Sequence, residues 1–517
     1  MGWLGIDLGT SAAKALLVDD SGQVLAEASS QYSMTRGAGT AEQDPDAYLQ
    51  SAAQLIAVVR DAGSISAVGL VGQTPTLVLV GGDGTPVRPA ITWQDTRAWR
   101  EAAELAAIVR DSTAAIGTSL AWAPGHPAAR LLWLSRHEPE VVSHTALVLQ
   151  PKDYLGLALT GSGVSDPWSS KGLCDVLTGA PAEELLEAAG WPARVVPRTA
   201  PAWSARGTVT AQGSARFGLL QGTPVSVGWS DALSPILAVG AFADRAAVVA
   251  TGSADVAAVV NPTVPLDASP LYSVPRSCAP IPLVYGPTQS SGSAIAWFGR
   301  LVGLKPEQLY RLAADLPLEA LADVPTFLPY LAGERAPLWR SDLRAVFQGL
   351  SMDHELPALA LAVISGVACA SRHVLDRAVE ITGSRPETTY LGGLVADVAV
   401  GRAVRAAILG RTITVRSPAH SSTLGAAMLG AAAAGAELAE VVDQMVGTAR
   451  RLEPSSSAVE AGAVAYQRYR RAAAAALGEL HPGSDSPSSE GAIGGPGRAT
   501  SGDVRPSTLA ALGGQEG

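Results

Sequence analysis

The chain has 517 residues, 47% of them hydrophobic, and carries a formal net charge of −10. This length predicts two or three domains, and the apolar content is sufficient for sizeable cores. Lysine occurs only at positions 14, 152, 171 and 305, and no basic cluster interrupts the acidic balance. The composition therefore argues against a nucleic-acid partner, which needs clustered lysine and arginine, but leaves small anionic substrates open.

The three cysteines, Cys174, Cys278 and Cys369, are widely separated along the chain. They fit neither a disulfide framework nor the spacing of metal ligands, which predicts a reduced, cytoplasmic protein. The N-terminus lacks the charged segment and cleavage site of a signal peptide. No uninterrupted apolar run of about 18 residues occurs, so we expect no membrane-spanning segment.

The first half of the chain alternates short apolar runs with amphipathic stretches. Strands are predicted at 2–9, 14–20, 23–28, 67–72 and 77–80, and helices at 46–61, 97–110, 130–137 and 233–241. This alternation predicts layered α/β architecture.

The pattern starts again near residue 243. Strands are predicted at 246–252, 256–260 and 388–391, a long apolar helix at 356–381, and a helix of small residues at 422–434. Residues 481–517 are rich in Gly, Ser and Pro, which predicts a disordered tail. We therefore expect an N-terminal lobe at 1–242, a C-terminal lobe at 243–480 and a tail at 481–517.

Two similar corners follow the first strand of each half. Residues 5–14 read GIDLGTSAAK, and residues 248–256 read VVATGSADV. Each short strand ends in a Gly/Thr/Ser turn, whose N–H groups and hydroxyls suit phosphate oxygens. The spacing of about 240 residues indicates a duplicated domain rather than a solenoid repeat, and predicts two lobes that close on one polyphosphate.

The candidate nucleotide-binding residues lie at these corners and at one further turn. They are Gly9, Thr10, Ser11 and Lys14 in the first corner, Thr251, Gly252 and Ser253 in the second, and Gly392 and Gly393 after a predicted strand. The two glycines would let a base or ribose approach the backbone, although a simple tight turn is the alternative. Asp7 would hold Mg²⁺ through water, or else stabilise its own turn.

Asp231 lies in the segment GWSDAL, directly before the predicted helix 233–241. It is the candidate general base, and a helix N-terminus would lower its pKa and keep it ionised. The alternative is a helix N-cap.

Two polar loops that follow strands are candidates for binding a polyol: Gln73-Thr74-Pro75, and the segment from Trp93 to Arg97. Asp95 and Arg97 would hydrogen-bond the hydroxyl groups while Trp93 packs on the apolar face. The alternative is a surface salt bridge beside a core tryptophan. The chain contains no Walker A loop, GxGxxG, HExxH, CxxC or GxSxG motif.

These features resemble the FGGY family of carbohydrate kinases, and within it the xylulokinase-like branch, over residues 2–475. GIDLGTS resembles the family's first phosphate motif, RLLWL with HEP at 130–139 its first signature, and 149–161 its LPKDYL…LTG segment. FLPYLAGERAP at 327–337 is the most specific match. The resemblance implies two actin-like, ribonuclease-H-like lobes, with sugar and ATP meeting in the cleft between them.

The resemblance also implies roles for individual residues. Asp231 would be the catalytic aspartate and Asp7 the acidic residue near Mg²⁺. Thr10 and Thr251 would belong to the two phosphate loops, and Gly392-Gly393 to the adenosine-binding turn.

Five residues, at four places in the sequence, depart from the family pattern. Thr74-Pro75 replace Met-His, Ala232 replaces an asparagine that helps bind sugar, Ala250 replaces glycine and Arg130 replaces lysine. The first two departures put D-xylulose itself in doubt as the substrate.

The expected activity is phosphorylation of a ketose or polyol by Mg-ATP, with a homodimer possible. A sugar- or nucleotide-binding protein with little catalysis is the alternative. An actin-like filament or chaperone ATPase shares the fold, but the string 327–337 argues against it.

Overall fold

The computed structural model describes residues 1–109, 111–241, 245–416 and 421–479. The predicted lobe boundary at 242/243 and the tail 481–517 lie outside these residues. The described chain contains two seven-stranded sheets, one in each half of the sequence.

The N-terminal sheet begins with a meander in which each strand is antiparallel to the one before. Its first strand is also parallel to Ile65–Gly72, which pairs with Pro224–Ser226 and Trp229–Ser230 as well. The order of its main path across the sheet is Ala205–Thr208, Pro224–Ser226, Ile65–Gly72, Gly2–Leu8, Ala12–Val18 and Val24–Gln31.

The C-terminal sheet repeats this topology. Ala246–Thr251 is antiparallel to its successor Val256–Val260 and parallel to the later strand Thr388–Gly393. The order across the sheet is Tyr272–Val274, Leu283–Pro287, Val256–Val260, Ala246–Thr251, Thr388–Gly393, Ile413–Arg416 and Ala449–Leu452. The prediction of two duplicated α/β lobes is therefore confirmed.

Four smaller sheets, of two or three strands each, accompany the two large ones. Their strands are Thr35–Arg36 with Ala41–Gln43 and Ala90–Ile91, Val78–Val80 with Leu147–Leu149, Val164–Ser165 with Arg198–Thr199, and Thr326–Leu328 with Val346–Gln348.

Helices cover the faces of both sheets. In the first half they are Pro45–Val59, Trp99–Ile108, Ser112–Ile116, Pro127–His137, Pro139–His144, Pro151–Thr160, Glu183–Ala188, Ala211–Phe217 and Ser234–Ala238. In the second half they are Gly292–Leu301, Pro306–Ala314, Leu356–Thr382, Ala399–Leu409, Ser421–Ala433, Leu438–Met445 and Ser456–Ala476.

The local sequence explains where these helices begin and end. The carboxylate of Asp44 caps the first helix by accepting from Asp46 N at 3.0 Å, and Pro45 occupies the first turn, where no N–H donor is needed. Gly383, with φ +63°, ends the long helix Leu356–Thr382 in the left-handed conformation that favours glycine.

Helix Leu356–Thr382 is long and apolar enough to cross a membrane by length and composition alone. However, 78% of its most apolar window is buried inside the protein. It packs against the sheet strand Val256–Val260 and helix Ala399–Leu409, so it serves here as a core helix of the C-terminal lobe.

Helix Ser421–Ala433 follows the last parallel strand of the C-terminal sheet but packs on the N-terminal sheet. A Cβ atom on Gly5 would come within 1.9 Å of the carbonyl oxygen of Thr423, and one on Gly69 within 1.7 Å of that of Ala426. Only glycine on the strands allows the helix backbone to come this close. The helix therefore joins the two lobes beside the cleft.

Candidate active site

A cleft of about 740 Å³ lies between the lobes, and both Gly/Thr/Ser corners line it. The N-terminal lobe contributes Asp7, Gly9, Thr10, Ser11, Lys14 and Asp231. The C-terminal part contributes Thr251, Gly252, Ser253, Gly393, Ser422 and Thr423. The fold thus brings together most of the residues predicted to bind nucleotide, and both predicted catalytic carboxylates.

Asp7 is the penultimate residue of the first strand and is 5% exposed. Its Oδ2 accepts from the Ser422 hydroxyl at 2.6 Å, whereas its Oδ1 has no hydrogen-bond partner within the described part of the chain. Burial raises the pKa of Asp7, while Ser422 and Lys14 act in the opposite direction. Lys14 lies directly opposite Asp7 in the antiparallel strand pair, and so places an ammonium group beside the carboxylate.

Asp231 follows strand Trp229–Ser230, and its backbone N–H donates to the Gly72 carbonyl at 3.0 Å. Its side chain is half-buried and faces the cleft. Burial and, next, the nearby Asp7 together raise the pKa of Asp231 to about 7, against opposing effects of the Ala232 N–H, Lys171 and Lys14.

The expectation that a helix N-terminus lowers the pKa of Asp231 is wrong. The helix begins only at Ser234, with Leu233 at the N-cap position and no side-chain cap. Asp231 is therefore not the N-cap, and burial beside a second carboxylate decides the direction of the shift.

The first corner is held in place from three sides. The hydroxyl of Tyr32 donates to the Gly9 carbonyl, Gln43 Nε2 donates to the Thr10 carbonyl at 2.8 Å, and the Trp93 indole N–H donates to Thr10 Oγ1 at 2.8 Å. These three hydrogen bonds fix the corner without a ligand, which is what a preorganised phosphate site requires.

The second corner is tied to the Gly392-Gly393 turn. The Thr251 hydroxyl donates to the Gly392 carbonyl at 2.7 Å and accepts from Val395 N at 3.0 Å. Gly393 has φ +81°, and a Cβ there would lie 2.0 Å from the Thr251 carbonyl oxygen. Gly393 lines the cleft. In this arrangement the Thr251 hydroxyl joins two loops, so its proton is already in use.

The predicted polyol-binding residues lie outside the lining of this cavity. Gln73 is buried and donates to Gln43 Oε1 at 2.7 Å. Thr74 shares a 3.0 Å hydrogen bond with Ser230, the neighbour of Asp231, and the Pro75 carbonyl accepts from Arg130 Nη1 at 2.9 Å. The Gln73-Thr74-Pro75 loop therefore lies beside Asp231, and its contact with a sugar stays a prediction.

Asp95 and Arg97 are paired with each other. Asp95 is fully buried, accepts from Arg97 Nη2 at 2.7 Å and from Ala41 N at 2.8 Å. The Arg97 guanidinium also lies 4.8 Å from the centre of the Trp133 ring. This is a buried form of the salt bridge beside a tryptophan, and contact of these two residues with a sugar stays a prediction.

Known proteins match the chain over most of its length. The model for the N-terminal domain of the FGGY family of carbohydrate kinases matches residues 2–238, and the model for its C-terminal domain matches residues 262–434. The chain belongs to the FGGY family of carbohydrate kinases.

Individual relatives agree with this assignment. Xylulose kinase of Escherichia coli (strain K12) is 30% identical over 455 residues, which cover 86% of this chain and 93% of that protein. A crystal structure described as a xyloylose kinase from Brucella ovis has a TM-score of 0.83 at 29% identity and covers 93% of this chain and 100% of that one. For xylulose kinase from Rhodospirillum rubrum the TM-score is 0.80 at 29% identity, with 93% and 99% covered.

Sequence reasoning missed several residues that lie in or near the candidate site. Ser422 was placed in a helix of small residues but not at the site, because its partner Asp7 lies 415 positions away. Lys171 is buried, and burial lowers its pKa to about 8, partly offset by Asp166 and Asp231. Arg335, inside the family string 327–337, lies over Trp93. No local sequence signal reports such contacts.

The residues present fit a magnesium ion bound together with phosphate. The described residues contain no cluster of three or more His, Cys, Asp or Glu side chains that could hold a metal. Mg²⁺ commonly binds through only one or two carboxylates, with phosphate oxygens and water completing its shell. Asp7, with its unpartnered buried Oδ1 in the cleft, is a donor of this kind.

Proposed function

We propose that this FGGY kinase transfers the γ-phosphoryl group of ATP to a terminal hydroxyl of a ketose, of the xylulose class of pentuloses, with Asp231 as general base. The observation that supports this most directly is the position of Asp231 and Asp7 in one cleft that both phosphate-type corners line. The xylulose kinases among its relatives support the choice of sugar.

In the proposed step the protein forms no covalent bond to the substrates. The sugar hydroxyl oxygen bonds to the γ-phosphorus, its proton passes to Asp231, and the bond from the γ-phosphorus to the bridging oxygen breaks to release ADP. The first corner donates to the phosphate oxygens through its backbone N–H groups and the Thr10 hydroxyl, and Lys14 supplies positive charge. Positioning and electrostatic stabilisation account for most of the rate in such reactions.

Asp7 would hold Mg²⁺, directly or through water, and the ion would supply neutralisation of charge on the phosphate oxygens. Ser422 orients Asp7 for this role, since its hydroxyl fixes Oδ2 and leaves Oδ1 available. The protein would thus present one defined lone-pair direction to the cation.

The specificity for one ketose over another depends on the residues around Asp231. Thr74 and Ala232 flank Asp231 in space or sequence, and both differ from the residues usual in xylulokinases. Their shorter side chains reach less far toward a bound ketose than the usual ones. A pentulose with a different configuration, or a longer ketose, is therefore included in the substrate class.

The test is ADP release from Mg-ATP across a panel of pentuloses, hexuloses and polyols. We expect at least one ketose to stimulate ADP release well above the sugar-free rate. Failure of every sugar, with nucleotide binding intact, would overturn the kinase proposal and favour the binding-protein alternative.

The role of Asp231 is tested with Asp231→Ala and the isosteric Asp231→Asn. Loss of the base typically costs about 10²- to 10⁴-fold in turnover, while ATP binding should change little. Turnover near that of the wild type in either folded variant would contradict the assignment.

A further inference from the structure

The hydroxyl groups of Thr10 and Thr251 differ in whether their proton is already donated within the protein. The Thr251 proton is donated to Gly392, as described above. Thr10 Oγ1 instead accepts the indole N–H of Trp93 at 2.8 Å, and no acceptor among the described residues takes its own proton. Because the accepting lone pair is fixed by Trp93, the free O–H is confined to directions away from the indole. Thr10 lines the cleft, so its donor is available to a phosphate oxygen.

Trp93 is itself held from the other lobe. The Arg335 guanidinium lies 4.8 Å from the centre of the Trp93 ring, in the geometry of a cation–π contact. Arg335 belongs to the C-terminal lobe and Trp93 to the N-terminal lobe. The ring therefore connects a cation in one lobe to a phosphate-turn hydroxyl in the other.

Arg335 is built to present its guanidinium face to this ring. Its Nε and Nη2 both donate to the Thr288 carbonyl, at 3.1 and 2.5 Å, and its backbone N–H donates to Glu334 Oε1 at 2.9 Å. Among the described residues no carboxylate lies within ion-pair distance of its guanidinium. An arginine that was needed only as a charge partner would be expected to have such a carboxylate. Here the planar group is anchored at its edge and stacked on Trp93.

We propose that Arg335 is a positioning residue for phosphoryl transfer, which acts through Trp93 to fix the hydroxyl of Thr10 toward the transferring phosphate. This Arg335–Trp93–Thr10 relay rests on the proposed kinase function. It couples the placement of the C-terminal lobe to the first phosphate turn.

The decisive experiment is a double-mutant cycle between Arg335→Met and Thr10→Val. Methionine keeps much of the apolar stem of arginine but removes the cation, and valine keeps the shape of threonine without the hydroxyl. We expect Arg335→Met to lower kcat by about 5- to 30-fold in the wild-type background, from the strength of a partly desolvated cation–π contact. In the Thr10→Val background, Arg335→Met should lower kcat by less than about twofold, because the hydroxyl that Arg335 positions through Trp93 is already absent.

Two further variants separate positioning from mere folding. Arg335→Lys retains a cation and should recover part of the lost kcat, whereas Trp93→Phe keeps a ring but removes the N–H to Thr10 and should resemble Thr10→Val. Arg340→Met is the matched control, since Arg340 is exposed and pairs only with Asp342. If Arg335→Met does not fold, Arg335→Lys takes its place in the cycle with Thr10→Val, and a loss of kcat that is equal in both Thr10 backgrounds overturns the relay.

The outcomes distinguish this inference from the proposed function. An active wild type in which Arg335→Met retains full kcat, or loses it equally in both Thr10 backgrounds, overturns the relay alone. A wild type that no sugar stimulates overturns the kinase proposal. In that case the same cycle is measured as the affinity for a non-hydrolysable ATP analogue by calorimetry. We expect the losses of affinity in the two single variants to be non-additive in the double variant. Additive losses overturn the relay.

Discussion

Asp231 can act as a general base only when it is ionised, and its surroundings set the pH at which that occurs. Burial and the neighbouring Asp7 raise its pKa to about 7, although Lys171 and Lys14 oppose this. A base with this pKa is half-protonated at neutral pH, which is near the value at which proton transfer is most efficient.

We predict that kcat/KM for the sugar falls about tenfold per pH unit below about pH 7 and levels off above it, because the raised pKa keeps Asp231 protonated on the acidic side. Initial rates of ADP release between pH 5.5 and 8.5 measure this. The nucleotide is kept saturating so that its own ionisation does not contribute. A profile that stays flat down to about pH 5.5, far below the raised pKa, would show that Asp231 is not the group that titrates.

Single residues show both the reach and the limit of prediction from sequence. Asp7 could be proposed because it lies where a strand meets a Gly/Thr/Ser corner, and Asp231 because it precedes a predicted helix and matches the catalytic aspartate of the family. The direction of the Asp231 pKa shift could not, since it depends on burial and on Asp7, which only the fold places nearby. The same applies to Ser422, whose contact with Asp7 spans 415 positions.

At the level of elements, the cleft depends on one helix that approaches the N-terminal sheet at backbone distance. Gly5 and Gly69 lie on adjacent strands, and the carbonyls of helix Ser421–Ala433 occupy the space where their side chains would be. Because Ser422 lies in the first turn of this helix and contacts Asp7, the packing also determines the position of the carboxylate.

We predict that Gly69→Ala lowers the free energy of unfolding by about 3 kcal/mol or more, since its Cβ would lie 1.7 Å from a main-chain oxygen that cannot rotate away. Urea unfolding followed by circular dichroism provides the measurement. Gly82→Ala is the matched control, because a Cβ at Gly82 meets no atom within 4 Å. Equal stability of the two variants would mean that the helix can shift away without loss.

The strands of each meander were predictable because Gly, Ser and Asp turns separate short apolar runs, which is a local signal. The destination of helix Ser421–Ala433 was not predictable in this way. An Ala- and Gly-rich helix has small residues on every side, so its sequence does not reveal which sheet it covers. The predicted assignment of this segment to the C-terminal lobe describes its place in the chain, but its packing belongs to both lobes.

At the level of the whole molecule, the site is divided between two bodies. Asp7, Asp231 and the first corner belong to the N-terminal lobe, and Thr251 and Gly393 belong to the C-terminal lobe. The duplication of the lobe could be inferred from the two similar corners, and the fold places both corners on one cleft. How closely they approach each other depends on contacts between lobes, such as Arg335 with Trp93, which a repeat in the sequence cannot specify.

A ligand that touches both lobes binds the closed arrangement more tightly than the open one, and therefore shifts the population toward closure. We predict that a ketose substrate together with a non-hydrolysable ATP analogue lowers the radius of gyration in small-angle X-ray scattering, and does so more than either ligand alone. The physical reason is that the cleft of about 740 Å³ is lined from both sides, so ligands that fill it bridge the lobes. Calorimetry on the same samples establishes that both ligands are bound. An unchanged radius of gyration under those conditions would show that the lobes are already locked together, and that exclusion of water from the phosphoryl group does not depend on their movement.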